Sequence, residues 1–308
     1  LIMETAYLPV FSNLPQPTKE QEIEFSKAAQ MLYAESGVTT AHEGATHAAD
    51  LDVMKRATAA GANIIDVIAY PFITDLDKIL EAVPLASWGK YDNHLKIGGV
   101  KRAYDMNVPL NLHANGDGAI DAFFKAHEFA AAGDLSKDRR VTMIHAQFTR
   151  RDQLDKYVQY RIRPSFYTLH TYYFYEAHLA NRGKEQAQSI SPMRDAIDRG
   201  LHPTNHTDFY VAPLDQMFML WSAVNRISRG GQSIGPEQRV TPLEGLKAMT
   251  IWGAEQYGEQ DSKGSLEPGK LADLVILDRN PLEVEPMAIK DIKVVETIKE
   301  GETIYTRP

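Results

Sequence analysis

The chain alternates short apolar runs with helical patterns, and this alternation limits its fold more than any other feature. Val38–Glu43, Asn63–Tyr70, Leu95–Lys101, Val108–His113, Val141–His145, Ile162–Phe166 and Leu201–Asp208 read as strands. Between them, His47–Ala60, Leu76–Val83, Gly118–Ala132, Arg150–Tyr160 and Pro192–Arg199 read as helices. An earlier helix runs from Thr18 to Ser36, opened by a threonine of N-cap character and closed by Gly37. Repeated βα units predict parallel strands with right-handed crossovers, in an open doubly wound sheet or a closed eight-stranded barrel. The GxGxxG fingerprint of a dinucleotide-binding sheet is absent, and Asn115-Gly116-Asp117-Gly118 is only a turn.

One connection breaks the rhythm. Leu95–Lys101 runs into Val108–His113 across about six residues, whereas a parallel crossover needs a dozen or more. The expectation is that residues of a longer chain are left out at Lys101/Arg102. After Asp208, Pro213–Arg229 and Thr241–Tyr257 read as helices, the second opened by Thr241-Pro242. A turn at Gly264–Gly269, a strand at Ala272–Leu277 and a hairpin of Lys293–Ile298 with Glu302–Thr306 then form a small β appendage.

Composition narrows the partners. With 33 Lys and Arg against 41 Asp and Glu in 308 residues and no basic run, a nucleic-acid backbone is not the expected partner. No run reaches the 18 or so apolar residues of a membrane span. The absence of cysteine removes disulfides, thiol nucleophiles and sulfur-ligated metals, so any metal must be held by His, Asp, Glu or Lys-derived ligands. Leu1 is not an initiating methionine, so export stays open and a cytoplasmic location is only the default.

In parallel α/β folds the chemistry sits at the carboxyl ends of the strands. There the sequence places His113, His145, the run Asn205-His206-Thr207-Asp208, and Lys101. A single strand-end histidine is more often a hydrogen-bonded structural residue than a ligand. Two histidines and an aspartate in one parallel array shift that balance toward a site for Zn²⁺, Mn²⁺ or Fe²⁺.

The segments His113–Asp121, Ile144–Gln147, His206–Asp208 and Lys263–Leu274, in that order, resemble the amidohydrolase superfamily, and most of all its amidohydrolase family 3 branch, over about Thr39 to Ile304. The resemblance implies an α/β chain folded as a (β/α)8 TIM-type barrel beside a small β-sandwich. It implies an entry segment at 1–17, the hydrolase barrel at 18–258 with strands 2 to 8, and part of the sandwich at 259–308. Strand 1, with a His-x-His pair, is expected before Leu1, and no H-x-H occurs in the sequence. By motif, His113, His145 and Asp208 resemble the metal ligands of strands 5, 6 and 8. Lys101 resembles the strand 4 lysine, often carbamylated, with Lys96 as the other lysine there. His170 and His206 are assigned to the substrate.

The implied function is hydrolysis of a non-peptide C–N bond in an amide or formamide-like small molecule, with one or two divalent metals, zinc foremost, and Asp208 as general base. A homodimer is also expected. The other reading is an amidohydrolase-like barrel that has lost hydrolysis and binds a small molecule as a regulator. His42 and Glu43 are read as pocket-lining or structural, Asp117 as a helix cap, and His94, His127, His178 and His202 as structural or surface residues. Gly231–Gly235 matches a serine-hydrolase elbow, but no strand precedes it.

Overall fold

Seven parallel strands, carried in two sheets, set the frame of the computed structural model, which describes residues 14–97, 110–131, 133–209 and 211–308. The first sheet is ordered β1 (Thr40–Thr46), β2 (Asp66–Pro71), β4 (Leu95–Ile97), β3 (Tyr91–Asp92). Here β1, β2 and β4 are parallel, and β3 returns antiparallel on β4. The second sheet runs β5 (Leu110–Ala114), β6 (Val141–His145), β7 (Arg163–Phe166), β8 (Thr204–Asn205), all parallel. The chain is therefore α/β, and no ladder joins the two sheets among the described residues. The short connection at Lys101/Arg102 lies outside the described residues.

Helices cover these strands: α1 (Lys19–Glu35), α2 (Ala48–Ala59), α3 (Leu76–Ala82), α4 (Asp117–Ala130), α5 (Arg151–Tyr160), α6 (His170–Tyr173), α7 (Tyr175–Gln188), α8 (Met193–Asp198), α9 (Gln216–Asn225), α10 (Pro242–Met249) and α11 (Ile251–Tyr257). Thr18 caps α1 in a reciprocal box with Gln21. In α4, Ile120, Phe123, Phe124 and His127 fall at helical spacing and are buried, and Phe124 meets Tyr157 of α5 edge to face at 5.4 Å. They share a core with Met143, Leu154, Ile162 and Phe166. Each such side chain contributes about 1.5–3 kcal/mol by leaving water.

The antiparallel sheet β9 (Leu274–Leu277), β10 (Val294–Lys299), β11 (Glu302–Thr306) is ordered β11-β10-β9. It is tied to the rest through α9, through the end of α1 and through a set of ion pairs. Met217, Leu220, Trp221 and Val224 of α9 pack on Ile289 and Ile292, just before β10. The Thr297 hydroxyl donates to the Ala34 carbonyl at 2.6 Å. Gly37, at φ +78, closes α1 so tightly that an added Cβ would lie 2.8 Å from Val275. A buried ion network is the third tie: Asp66, at the start of β2, takes Lys263 at 2.5 Å, Lys299 at 3.2 Å and His94 at 2.8 Å. Lys263 also meets Glu259 at 3.0 Å, and Glu259 meets Lys96 at 2.5 Å.

Four elements differ from expectation. The single helix expected over Thr241–Tyr257 is divided at Thr250, whose hydroxyl bonds back to the Leu246 carbonyl. The kinked helix α7 was not anticipated, because its sequence is polar and Gly183 interrupts it at φ 77. The β3–β4 hairpin was hidden because Asn93-His94, rather than Asn-Gly, supplies its two positive φ angles. The strand expected over Leu201–Asp208 pairs only at Thr204–Asn205.

Asp66→Ala removes the carboxylate that Lys263 and Lys299 share, leaving Lys263 on Glu259 and Lys299 on Asp273 and Glu300, so denaturant unfolding should show a loss of about 1–3 kcal/mol. The network also predicts a pH dependence. Burial pushes the carboxyls of Asp66 and Glu259 up, but their lysine partners outweigh it and hold both below the usual range. Their stabilisation is thus complete above the ordinary carboxylate pKa and is lost as pH falls through the lowered values, a loss that unfolding curves at pH 7 and pH 3 should show and that Asp66→Ala should reduce.

Candidate metal centre

Parallel register brings the strand-end residues together. His113 lies opposite Ile144, Ala114 opposite His145, His145 opposite Phe166, and Phe166 opposite Asn205. The next residue along is His206, and Asp208 follows two further on. The ligand atoms of His145, His206 and Asp208 lie within 4.8 Å of one another. His206 Nε2 is 3.1 Å from His145 Nδ1, and the His113 ring meets His145 edge-on at 4.4 Å. His145, Ala146 and Asp208 all hold positive φ (68°, 46° and 51°), a conformation that non-glycine residues reach at a cost and that clusters at functional sites.

Burial sets the protonation of this cluster. Desolvation, with His113 adding to it, pushes His145 down to about 4, and burial together with the neighbouring imidazoles drives His206 well below its ordinary value. Both rings are therefore neutral at neutral pH, the ligating form. Burial raises the Asp208 carboxyl, with His113 pulling the other way, which makes it a stronger base than a solvated carboxylate.

The donor set fits a divalent ion. For tetrahedral zinc, with metal–nitrogen bonds of about 2.0–2.1 Å, two ligand nitrogens stand about 3.3 Å apart. The observed 3.1 Å matches that edge, and the set is sulfur-free as the composition requires. The Ser165 hydroxyl, 2.9 Å from His206 Nδ1, can accept that N–H and leave Nε2 bare. The buried Asn205 amide and Thr168 hydroxyl bond to each other at 2.9 Å, fixing the backbone on both sides of the site.

The other sequence candidates fall as follows. Lys101 lies outside the described residues. Lys96 is committed to Glu259 in the ion network, so its carboxylate partner has taken the amine that a ligand role needs. His206, assigned to the substrate, stands instead among the donors of the cluster. His170 opens α6 with its ring 6.3 Å from His145 and 4.5 Å from Tyr167. His42 packs 4.6 Å from Tyr70 and accepts from the Asn111 amide at 3.0 Å, a bond that links β1 of the first sheet to β5 of the second. Glu43 is exposed and its carboxylate accepts the Ala45 N–H. Asp117 is the first residue of α4 and pairs with Arg150. His127 stacks on Tyr160, His202 on Trp252, and His94 bonds Asp66.

His178, read as structural or surface, is half-buried. Its Nε2 is 2.7 Å from the Gln147 amide nitrogen and 3.2 Å from His170 Nδ1. The sequence offers no signal for this beyond the presence of Gln147 two residues after His145. The loop after Asp208 leans on α1, with Phe209 edge-on to Tyr33 at 5.8 Å and the Ser36 hydroxyl donating to the Leu214 carbonyl.

Comparison with known proteins adds the following. The model of a family described as the amidohydrolase family matches residues 1–305. The N-substituted formamide deformylase of Arthrobacter pascens is 27% identical over 207 residues, which are 67% of this chain and 38% of that protein, so the chain spans well under half of that relative's length. An uncharacterized metal-dependent hydrolase from Pyrococcus furiosus superposes with a TM-score of 0.72 at 22% identity, covering 88% of this chain and 63% of that one. The atrazine chlorohydrolase TrzN from Arthrobacter aurescens TC1, complexed with zinc, superposes with a TM-score of 0.64 at 16% identity, covering 94% and 73%. These likenesses show a shared fold.

Ser165→Ala removes the group that orients His206, and the expected result is zinc binding weakened about 10–100-fold in competition with a chromophoric chelator, with the unfolding midpoint little changed.

Proposed function

The chain belongs to the amidohydrolase family, and from that premise we propose that it is a metal-dependent hydrolase of a non-peptide C–N bond, acting on a small amide of the N-substituted formamide type. The observation that carries this reading is the group of buried His145 with half-buried His206 and Asp208, gathered at or just beyond adjoining strand ends. The substrate class draws its support from the formamide deformylase relative. Among the described residues no helix is long and apolar enough to cross a membrane.

His145, His206 and Asp208 would hold the ion, with His113 beside them and Lys101, carbamylated, as a further ligand. Zinc suits this nitrogen and oxygen set. When bound, such an ion supplies Lewis acidity toward an amide carbonyl and toward water. The chain's own part is proton handling and placement. Asp208, made more basic by burial, takes a proton from water as its oxygen adds to the carbonyl carbon, and returns that proton to the nitrogen as the C–N bond breaks. A formamide thus yields formate and an amine, with every atom accounted for. Neutral His145 and His206 keep their lone pairs free to ligate. Tyr167, stacked on His206 and set against His170, walls the site from water.

We place the seven parallel strands in a (β/α)8-type barrel. The His42–Asn111 bond supports this, since it joins residues of the two sheets across what would be the barrel interior. The barrel occupies 18–258, and residues 259–308 belong to a small β-sandwich.

Asp208→Asn keeps the shape of the side chain and removes the base. Turnover of an N-alkylformamide should fall about 10²–10⁴-fold with the circular dichroism spectrum unchanged, and full activity in that variant would defeat the mechanism. Elemental analysis of the purified protein should find a divalent metal; dialysis against a chelator should abolish turnover, and added zinc should restore it.

A further inference from the structure

Resting on the amide reading above, we propose that His178 is a positioning residue: it holds His170 in the tautomer with its proton on Nδ1, so that His170 presents a bare Nε2 and the site selects amides that carry an N–H.

The hydrogen bonds dictate this order. An amide nitrogen can only donate, so the Gln147 side chain, 2.7 Å away, requires His178 Nε2 to be an acceptor. The same Nε2 lies 3.2 Å from His170 Nδ1, and two bare nitrogens would repel, so His170 Nδ1 carries a proton and donates it. A neutral imidazole carries only one such proton, which leaves His170 Nε2 bare on the ring edge turned away from His178. Among the described residues that nitrogen makes no hydrogen bond. Burial and the adjacent imidazoles push His170 down to about 3, in keeping with a neutral ring. The arrangement is rigid. The His170 and His178 rings lie within 7° of parallel with centroids 5.4 Å apart, Phe148 abuts His178 edge-on at 5.3 Å, and Tyr167 abuts His170 edge-on at 4.5 Å. Gln147 is buried and its backbone carbonyl accepts the Ser191 N–H, which holds the main chain that carries the anchor.

The His170 ring lies 6.3 Å from that of His145, and its bare Nε2 is an acceptor without a donor among the described residues. A secondary amide supplies one in its N–H. A tertiary amide puts carbon there, which leaves the acceptor desolvated and unpaired, a loss that favours the secondary amide by about 10–100-fold in kcat/KM.

The test uses the full-length protein labelled with ¹⁵N-histidine. Long-range ¹H–¹⁵N spectra of the wild type should show His170 protonated on Nδ1 and bare on Nε2; a proton on Nε2 overturns the proposal whatever the activity. His178→Phe keeps a flat ring for stacking and removes the acceptor. In that variant the His170 tautomer should shift, and preference for N-butylformamide over N-butyl-N-methylformamide should fall toward one while turnover of the tertiary amide holds. Loss of both activities together, with the tautomer intact, would mark His178 as merely structural. His178→Gln, whose amide oxygen can accept in the same place, should restore tautomer and preference, and it carries the comparison if the phenylalanine variant does not fold. If neither amide is turned over while His170 keeps its Nδ1 proton, the amide reading fails and the positioning role stands.

Discussion

Parallel strand pairing in fixed register is the constraint on which the rest of the structure depends. Because β5 to β8 run the same way and pair in order, the last residues of strands far apart in sequence meet at one edge. His113, His145 and the residues after Asn205 need no long side chains to reach each other; backbone hydrogen bonds already set them side by side. A slip of one residue in any of these ladders would turn its histidine from the site toward the helices. The aromatic and aliphatic core under α4 and α5 guards against that slip, since it fills with Met143, Phe124, Tyr157 and Leu154 only in the observed register.

That logic explains how much of the molecule could be read beforehand. All seven strand signals fall on the seven parallel strands, because a strand buried by helices carries an apolar run that any reader of sequence can see. The strand-end positions of His113 and His145 were legible for the same reason, whereas Asp208 lies beyond the end of β8. The place of His206 among the donors was less legible, because β8 pairs over only two residues before the backbone turns toward Asp208 at φ 51. The bond between His178 and Gln147 joins residues 31 apart across a polar, kinked helix, where no periodicity marks a buried partner. The β3–β4 hairpin and the ion network around Asp66 depend likewise on tertiary pairing of residues that, one by one, look like surface.

The two ends of the parallel strands are chemically opposite. At the carboxyl ends, His145 and His206 are gathered and are neutral through desolvation. At the start of β2, carboxylates and lysines are gathered in near balance and remain charged because each holds the other. Burial is the common condition, and partner chemistry decides whether it empties a group of charge or locks the charge in. The first outcome yields groups able to bind and exchange protons; the second yields a rivet between β2, the β3–β4 hairpin and the antiparallel sheet.

Helix α1 joins these regimes. Its last turn receives the Thr297 hydroxyl from β10 on one side, and on the other it supports the loop that follows Asp208 through Tyr33 and Ser36. The antiparallel sheet and the loop that follows Asp208 are therefore linked in series through a single turn of helix. A substitution in β10 that shifts this turn bears on the loop at Phe209 and Leu214. Changes in that outlying sheet can therefore reach the loop after Asp208 while every histidine of the cluster stays the same.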